Sequence, residues 1–118
     1  MNLFIVEDSL LIQRRLVQFA EEIPGVHVIG VAADIDSAYQ GVIGSETDAM
    51  ILDIHLGEEN GLQLLKSIKH SKPSVKVVVL TNHATEANRI HALKAGADDF
   101  LDKSTDFQQI PDVLHRWQ

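Results

Sequence analysis

Apolar residues follow two rhythms along this chain: short unbroken runs, and stripes at helical spacing. Leu3–Val6 is an unbroken run that Glu7-Asp8 closes, as suits a strand buried on both faces. Ser9 is a plausible N-cap, and Leu10 to Glu22 then reads as a helix broken by Pro24-Gly25. Val26–Ala32 is a second strand, Asp34 to Gly44 a weaker helix with glycines near its end, and Ala49–Leu52 a third strand running into Asp53. After a loop, Asn60 can cap a helix with apolar positions Leu62, Leu64, Leu65 and Ile68, which Pro73 ends. Val75–Leu80 is the strongest strand signal, rich in valine and bounded by polar residues. Thr85–Lys94 reads as a helix stopped at Ala95-Gly96, and Asp99–Asp102 as a short fifth strand. Phe107, Ile110, Leu114 and Trp117 form a last helical stripe; Pro111 within it must either kink the helix or fall in its first turn.

Strands alternating with helices imply a parallel sheet with right-handed crossovers and helices on both faces. Five such units predict an α/β, flavodoxin-like (βα)5 doubly wound sheet in strand order 2-1-3-4-5. The length fits one domain over residues 1–118, with little room for a second. Absence of cysteine excludes disulfides, thiolate metal sites and a cysteine nucleophile. No apolar run approaches the roughly 20 residues that span a bilayer. Met1 to Val6 lacks the basic head of a signal peptide, so a soluble, cytoplasmic protein is expected. A formal net charge of -7 opposes direct binding to nucleic acid or an anionic membrane, and permits a divalent cation or a basic partner.

Ligands of open α/β sheets bind beyond the carboxyl ends of the strands, at the switch in strand order. Glu7 and Asp8 follow the first strand, Asp53 the third, Thr81 the fourth and Lys103 the fifth. The predicted order makes those four strands consecutive neighbours, so the five residues should meet in one shallow pocket. Crowded carboxylates repel one another unless a cation is present. Hard oxygen ligands point to Mg2+, Lys103 suits a phosphoryl oxygen, and Thr81 offers a hydroxyl. Such a set describes a carboxylate nucleophile attacking a phosphoryl group. Taken singly, each residue has an ordinary reading: Glu7-Asp8 as a helix N-terminal pair, Asp53 in a turn, Thr81 as a cap, Lys103 solvated, Phe100 in the core. His27, His70, His91 and His115 read as surface residues without metal-ligand spacing. Phe107 and Trp117 are expected to seal the last helix onto the sheet.

Val6-Glu7-Asp8-Ser9, Ile51 to Leu56 with Asn60-Gly61-Leu62, Leu80-Thr81, and Lys94 to Lys103 together resemble the response regulator receiver family of two-component systems, over essentially the whole chain. The resemblance implies a receiver domain over 1–118 without an output domain. It would be a phosphoacceptor that promotes its own phosphorylation and dephosphorylation, not an enzyme. Asp53 would take phosphate from a sensor histidine kinase or a phosphotransfer protein. Asp8, Asp53 and the His55 backbone carbonyl would ligate Mg2+, for which Mn2+ can substitute, and Glu7 would act through a water. Lys103 would pair with the phosphoryl group, Thr81 would move toward it, and Phe100 would turn inward. Those shifts would switch a face formed by the fourth helix, fifth strand and fifth helix, through which a homodimer could also form. His55, Asn82 and His83 stand where the family tunes phosphoryl lifetime, and the two histidines suggest sensitivity to pH near neutrality.

Three positions depart from the family pattern. Gly57 replaces the usual proline, so a looser loop is expected. Ser104 replaces a proline often preceded by a cis peptide, and so makes a cis bond improbable; serine here is familiar from receivers that precede helix-turn-helix domains. Asn82 is larger than the usual small residue and should partly cover the site. Among rivals, a haloacid-dehalogenase-type phosphatase would want an aspartate where His55 stands. A flavin or nucleotide carrier would want glycines where Glu7-Asp8-Ser9 stands. A degenerate receiver that binds partners without phosphorylation would not need all five positions filled.

Overall fold

The computed structural model describes residues 1–118. Five parallel strands form one sheet: β1 (Asn2–Val6), β2 (His27–Ala32), β3 (Ala49–Leu52), β4 (Lys76–Thr81) and β5 (Asp99–Asp102), in the order β2-β1-β3-β4-β5. The helices are α1 (Leu10–Glu21), α2 (Ile35–Ile43), α3 (Gly61–Ser71), α4 (Glu86–Lys94) and α5 (Ile110–Arg116). This is the flavodoxin-like sheet expected. Element ends moved by a residue or so, as where β2 starts at His27 and β4 runs through Thr81.

The unbroken apolar runs are explained by burial on both faces. Phe4 and Val6, Met50 and Leu52, and Val77 and Val79 point to one side, where they pack with Ala38 and Val42 of α2, Leu64, Leu65 and Ile68 of α3, and Ala92 of α4. Leu3 and Ile5, Ala49 and Ile51, and Val78 and Leu80 point to the other, against Leu16 and Ala20 of α1 and Ile110, Val113 and Leu114 of α5. Alternation at period two thus feeds two separate cores from one set of strands.

Local sequence fixes the helix starts. Ser9, Asp34, Asn60 and Thr85 each accept a backbone N–H of the first turn through the side chain, at 2.8 to 3.3 Å. Pro111 falls in the first turn of α5, where its missing N–H costs nothing, and Phe107–Gln109 form a separate 3-10 turn before it. Phe107 and Trp117 are half-buried against the second core, as their place in the stripe implied. No helix is long and apolar enough to cross a membrane.

Register places the chemistry. Val6 pairs with Ala32 and Leu52, Leu52 with Val79, and Thr81 with Asp102. β1 and β3 therefore end level, β4 and β5 run two residues farther, and the residues that follow all four share one edge of the sheet.

Candidate functional site

At that edge Glu7, Asp8, Asp53 and Lys103 line one open cavity of about 330 Å³, together with Ser9, His55, Gly57, Asn82 and His83. Glu7 and Asp53 are buried, whereas Asp8 is exposed. One carboxylate oxygen from each of the three lies within 4.8 Å of the others. Lys103 is almost wholly buried and donates to Asp53 Oδ2 at 2.7 Å. The same ammonium pairs with Glu7 Oε1, which has no other polar partner. Asp53 Oδ1 accepts the His55 backbone N–H at 3.0 Å, so both oxygens of this carboxylate are held.

Buried charges here set one another's protonation. Burial pushes Glu7 above the ordinary glutamate value, against the pull of Lys103 and the Ser9 N–H. Burial would lower Lys103, but its hydrogen bonds to Asp53 and Glu7 outweigh that and raise it. Desolvation would also raise Asp8, yet hydrogen bonds from the Gly57 N–H and with Glu7 hold it below the usual aspartate value. Three carboxyl groups meet a single ammonium, so acidic groups outnumber the base in this cluster. Its donors are all oxygen, one of them orphaned except for Lys103, a set that fits a hard divalent cation.

Thr81 is fully buried and does not line the cavity; its hydroxyl accepts the His83 backbone N–H at 3.1 Å. Phe100 is half-buried against the core beneath α2, α3 and α4, also away from the cavity. Four of the five residues expected to meet at the strand ends, Glu7, Asp8, Asp53 and Lys103, thus line the cavity with His55, Asn82 and His83, whereas Thr81 and Phe100 do not. Asn82 lines the cavity beside Lys103, as its size suggested. No peptide bond is cis, and Ser104 donates through its N–H and hydroxyl to Asp102 Oδ1.

Two arrangements were not foreseen. His55 and His83 are exposed, but their rings stack at the cavity, with centroids 3.7 Å apart and planes 26° from parallel. The loop after Asp53 is not loose: His55–Leu56 and Glu59–Asn60 pair as a short antiparallel hairpin around Gly57-Glu58. Gly57 has φ +61°, and its N–H donates to Asp8 Oδ2 at 2.8 Å. Glu59 accepts the first N–H of α2, from Ile35, at 3.1 Å. These two bonds correct the expectation that replacing proline would loosen the segment. Gly61 is required by a close approach, because a Cβ there would lie 2.7 Å from the Asp53 carbonyl oxygen. The glycine after the Asn60 cap was the available signal; nothing in the sequence announced the histidine stack.

With this geometry established, similarity to other proteins is informative. The family model described as response regulator receiver domain matches residues 3–115. The transcriptional regulatory protein DcuR of Escherichia coli K12 is 27% identical over 99% of this chain and 50% of its own length. The chain therefore spans about half the length of that curated relative. The response regulator domain of Thermotoga maritima CheB is 29% identical with a TM-score of 0.86, over 99% of this chain and 92% of that one. A Burkholderia pseudomallei response regulator, solved with a phosphorylated aspartic acid, a calcium ion and citrate, is 28% identical with a TM-score of 0.82, over 99% and 66%.

Proposed function

The chain belongs to the response regulator receiver family, and from that premise we propose that it is a phosphorylation switch whose phosphoacceptor is Asp53. One observation carries this reading: a buried aspartate at a strand end, pinned by Lys103 and flanked by two further carboxylates. The donor is a phosphohistidine of a sensor kinase or a phosphotransfer protein. An Asp53 oxygen attacks phosphorus while the phosphorus–nitrogen bond of the donor breaks, and the electron pair leaves with the imidazole, which takes a proton. Lys103 then transfers its contact from the carboxylate to a phosphoryl oxygen. Asp8, Asp53 and the His55 carbonyl would hold Mg2+, with Glu7 reaching it through water; when bound, the ion neutralises charge on the phosphoryl oxygens. The phosphorylated Burkholderia relative, with its calcium ion, supports the same assignment by analogy.

Thr81 is the coupling element. Its hydroxyl accepts the His83 N–H and keeps its own proton free for a phosphoryl oxygen, and a shift of Thr81 toward that group would vacate space that half-buried Phe100 can enter. The affected face is α4-β5-α5, where exposed Ile90 and Leu93 of α4 offer an apolar contact to a target or a second copy of the chain. Reversing a 1:99 population takes about 5.5 kcal/mol of differential stabilisation, which contacts to Lys103, Thr81 and the cation would have to supply. His55, Asn82 and His83 stand over the site and set how fast water reaches the phosphoryl group.

The test is incubation with Mg2+ and acetyl phosphate, followed by intact mass, beside Asp53→Asn. A single phosphoryl adduct, absent from the variant and without Mg2+, is the expected result. No adduct, and no change on adding beryllofluoride, would leave a binding module that works without phosphorylation.

A further inference from the structure

The backbone at Gly57 takes a conformation with a geometric use. The residue occupies the first central position of a two-residue hairpin turn at φ +61°, a conformation that glycine adopts freely and proline cannot. That conformation aims its N–H at Asp8 Oδ2, 2.8 Å away, across the gap between the β3-α3 hairpin and the end of β1. Proline would lack the donor as well. The hairpin does not drift away, because Glu59 fastens its second strand to Ile35 at the start of α2.

Asp8 is the exposed member of the carboxylate trio, and no other backbone donor from outside its own strand end reaches it. A freely rotating exposed carboxylate must be ordered each time a cation binds. One fixed by its second oxygen is ordered beforehand, and hydrogen bonds of this kind to ligating carboxylates typically change metal affinity by about 10–100-fold. We propose that Gly57 is a positioning residue for the divalent cation: its backbone N–H holds Asp8 Oδ2 so that the remaining oxygen faces Glu7 and Asp53. This rests on the reading of the trio as a cation site. A Cβ at Gly57 would meet nothing within 4 Å, so a substitution there meets the strain of the positive φ and no clash.

Mg2+ is titrated calorimetrically into the whole chain, Gly57→Asn and Gly57→Pro. Asparagine keeps the N–H and tolerates positive φ; proline removes both. The expected result is wild-type binding, Gly57→Asn within about threefold of it, and Gly57→Pro about tenfold weaker, or about 1.4 kcal/mol. Equal affinity in all three overturns the role of Gly57 and leaves the cation site standing. A wild-type protein that does not bind Mg2+ removes both. A second readout does not depend on the proline variant folding: amide exchange of Gly57 in the wild-type protein saturated with Mg2+. A protected amide supports the bond; exchange at the rate of an open loop overturns it.

Discussion

Lys103→Met leaves Glu7 and Asp53 buried without their ammonium while keeping a side chain of similar length. Breaking a buried ion pair by removing one partner commonly costs about 3–5 kcal/mol. Here protonation limits the cost. Glu7 is the more deeply buried of the two and already shifted upward, so in the variant it takes up a proton instead of remaining charged. At pH 7 that uptake starts from the ordinary glutamate value of 4.5. It spans about 2.5 pH units at about 1.4 kcal/mol each, a ceiling of about 3.5 kcal/mol. Near pH 5 the same step spans about half a unit, and the ceiling drops to about 0.7 kcal/mol. The sign follows from linkage: a carboxyl whose folded pKa is raised favours the fold below its unfolded value, and that contribution is lost as pH rises through the folded pKa. Urea unfolding of wild type and variant near pH 5 and pH 7 reads the difference directly. We expect a loss of about 2–3 kcal/mol at pH 7, under about 1 kcal/mol at pH 5, and partial recovery at pH 7 with Mg2+. An equal loss at both pH values, unmoved by Mg2+, would refute the view of Glu7, Asp53 and Lys103 as one charge cluster.

Three further outcomes are expected. Removing the stack through His55→Ala or His83→Ala should cost no more than about 0.5–1.5 kcal/mol, the worth of an aromatic pair, and should speed loss of the phosphoryl group by opening the cavity to water; hydrolysis followed by intact mass checks this. Gly61→Ala forces a Cβ against the Asp53 carbonyl oxygen and Ile54 Cα, and should cost about 1–3 kcal/mol in urea unfolding while slowing phosphorylation. Thr81→Val leaves the His83 N–H without its acceptor, a loss of about 1 kcal/mol, and should allow phosphorylation of Asp53 while weakening the response of Phe100, followed by its ring resonances in NMR spectra.

The sheet and the site were legible for the same reason. Leu3–Val6, Ala49–Leu52 and Val77–Leu80 are apolar without interruption, which only strands covered on both faces require, and each stops at a residue with chemistry. Once the strand order was inferred, neighbouring carboxyl ends brought Glu7, Asp8, Asp53 and Lys103 together. The remainder was hidden by scale. Two-residue strands such as His55–Leu56 carry no periodicity, so the hairpin looked like a loop with its proline missing. The bond from Gly57 to Asp8 joins residues distant in sequence, and a backbone donor leaves no side-chain signature. The stack of His55 on His83 depends on how two loops lean over the cavity. Pro111 was ambiguous because a 3-10 turn and a short helix share one apolar stripe.

The central claim is that Asp53 carries the phosphoryl group, and chemical trapping tests it most directly. The protein is phosphorylated with acetyl phosphate and Mg2+, reduced with borohydride, which converts an aspartyl phosphate to homoserine, and digested for peptide mass spectrometry. Homoserine at position 53 alone, and none when Mg2+ is withheld, is the predicted result. Label at Asp8, at Glu7 or at a histidine, with residue 53 still aspartate, would contradict the account.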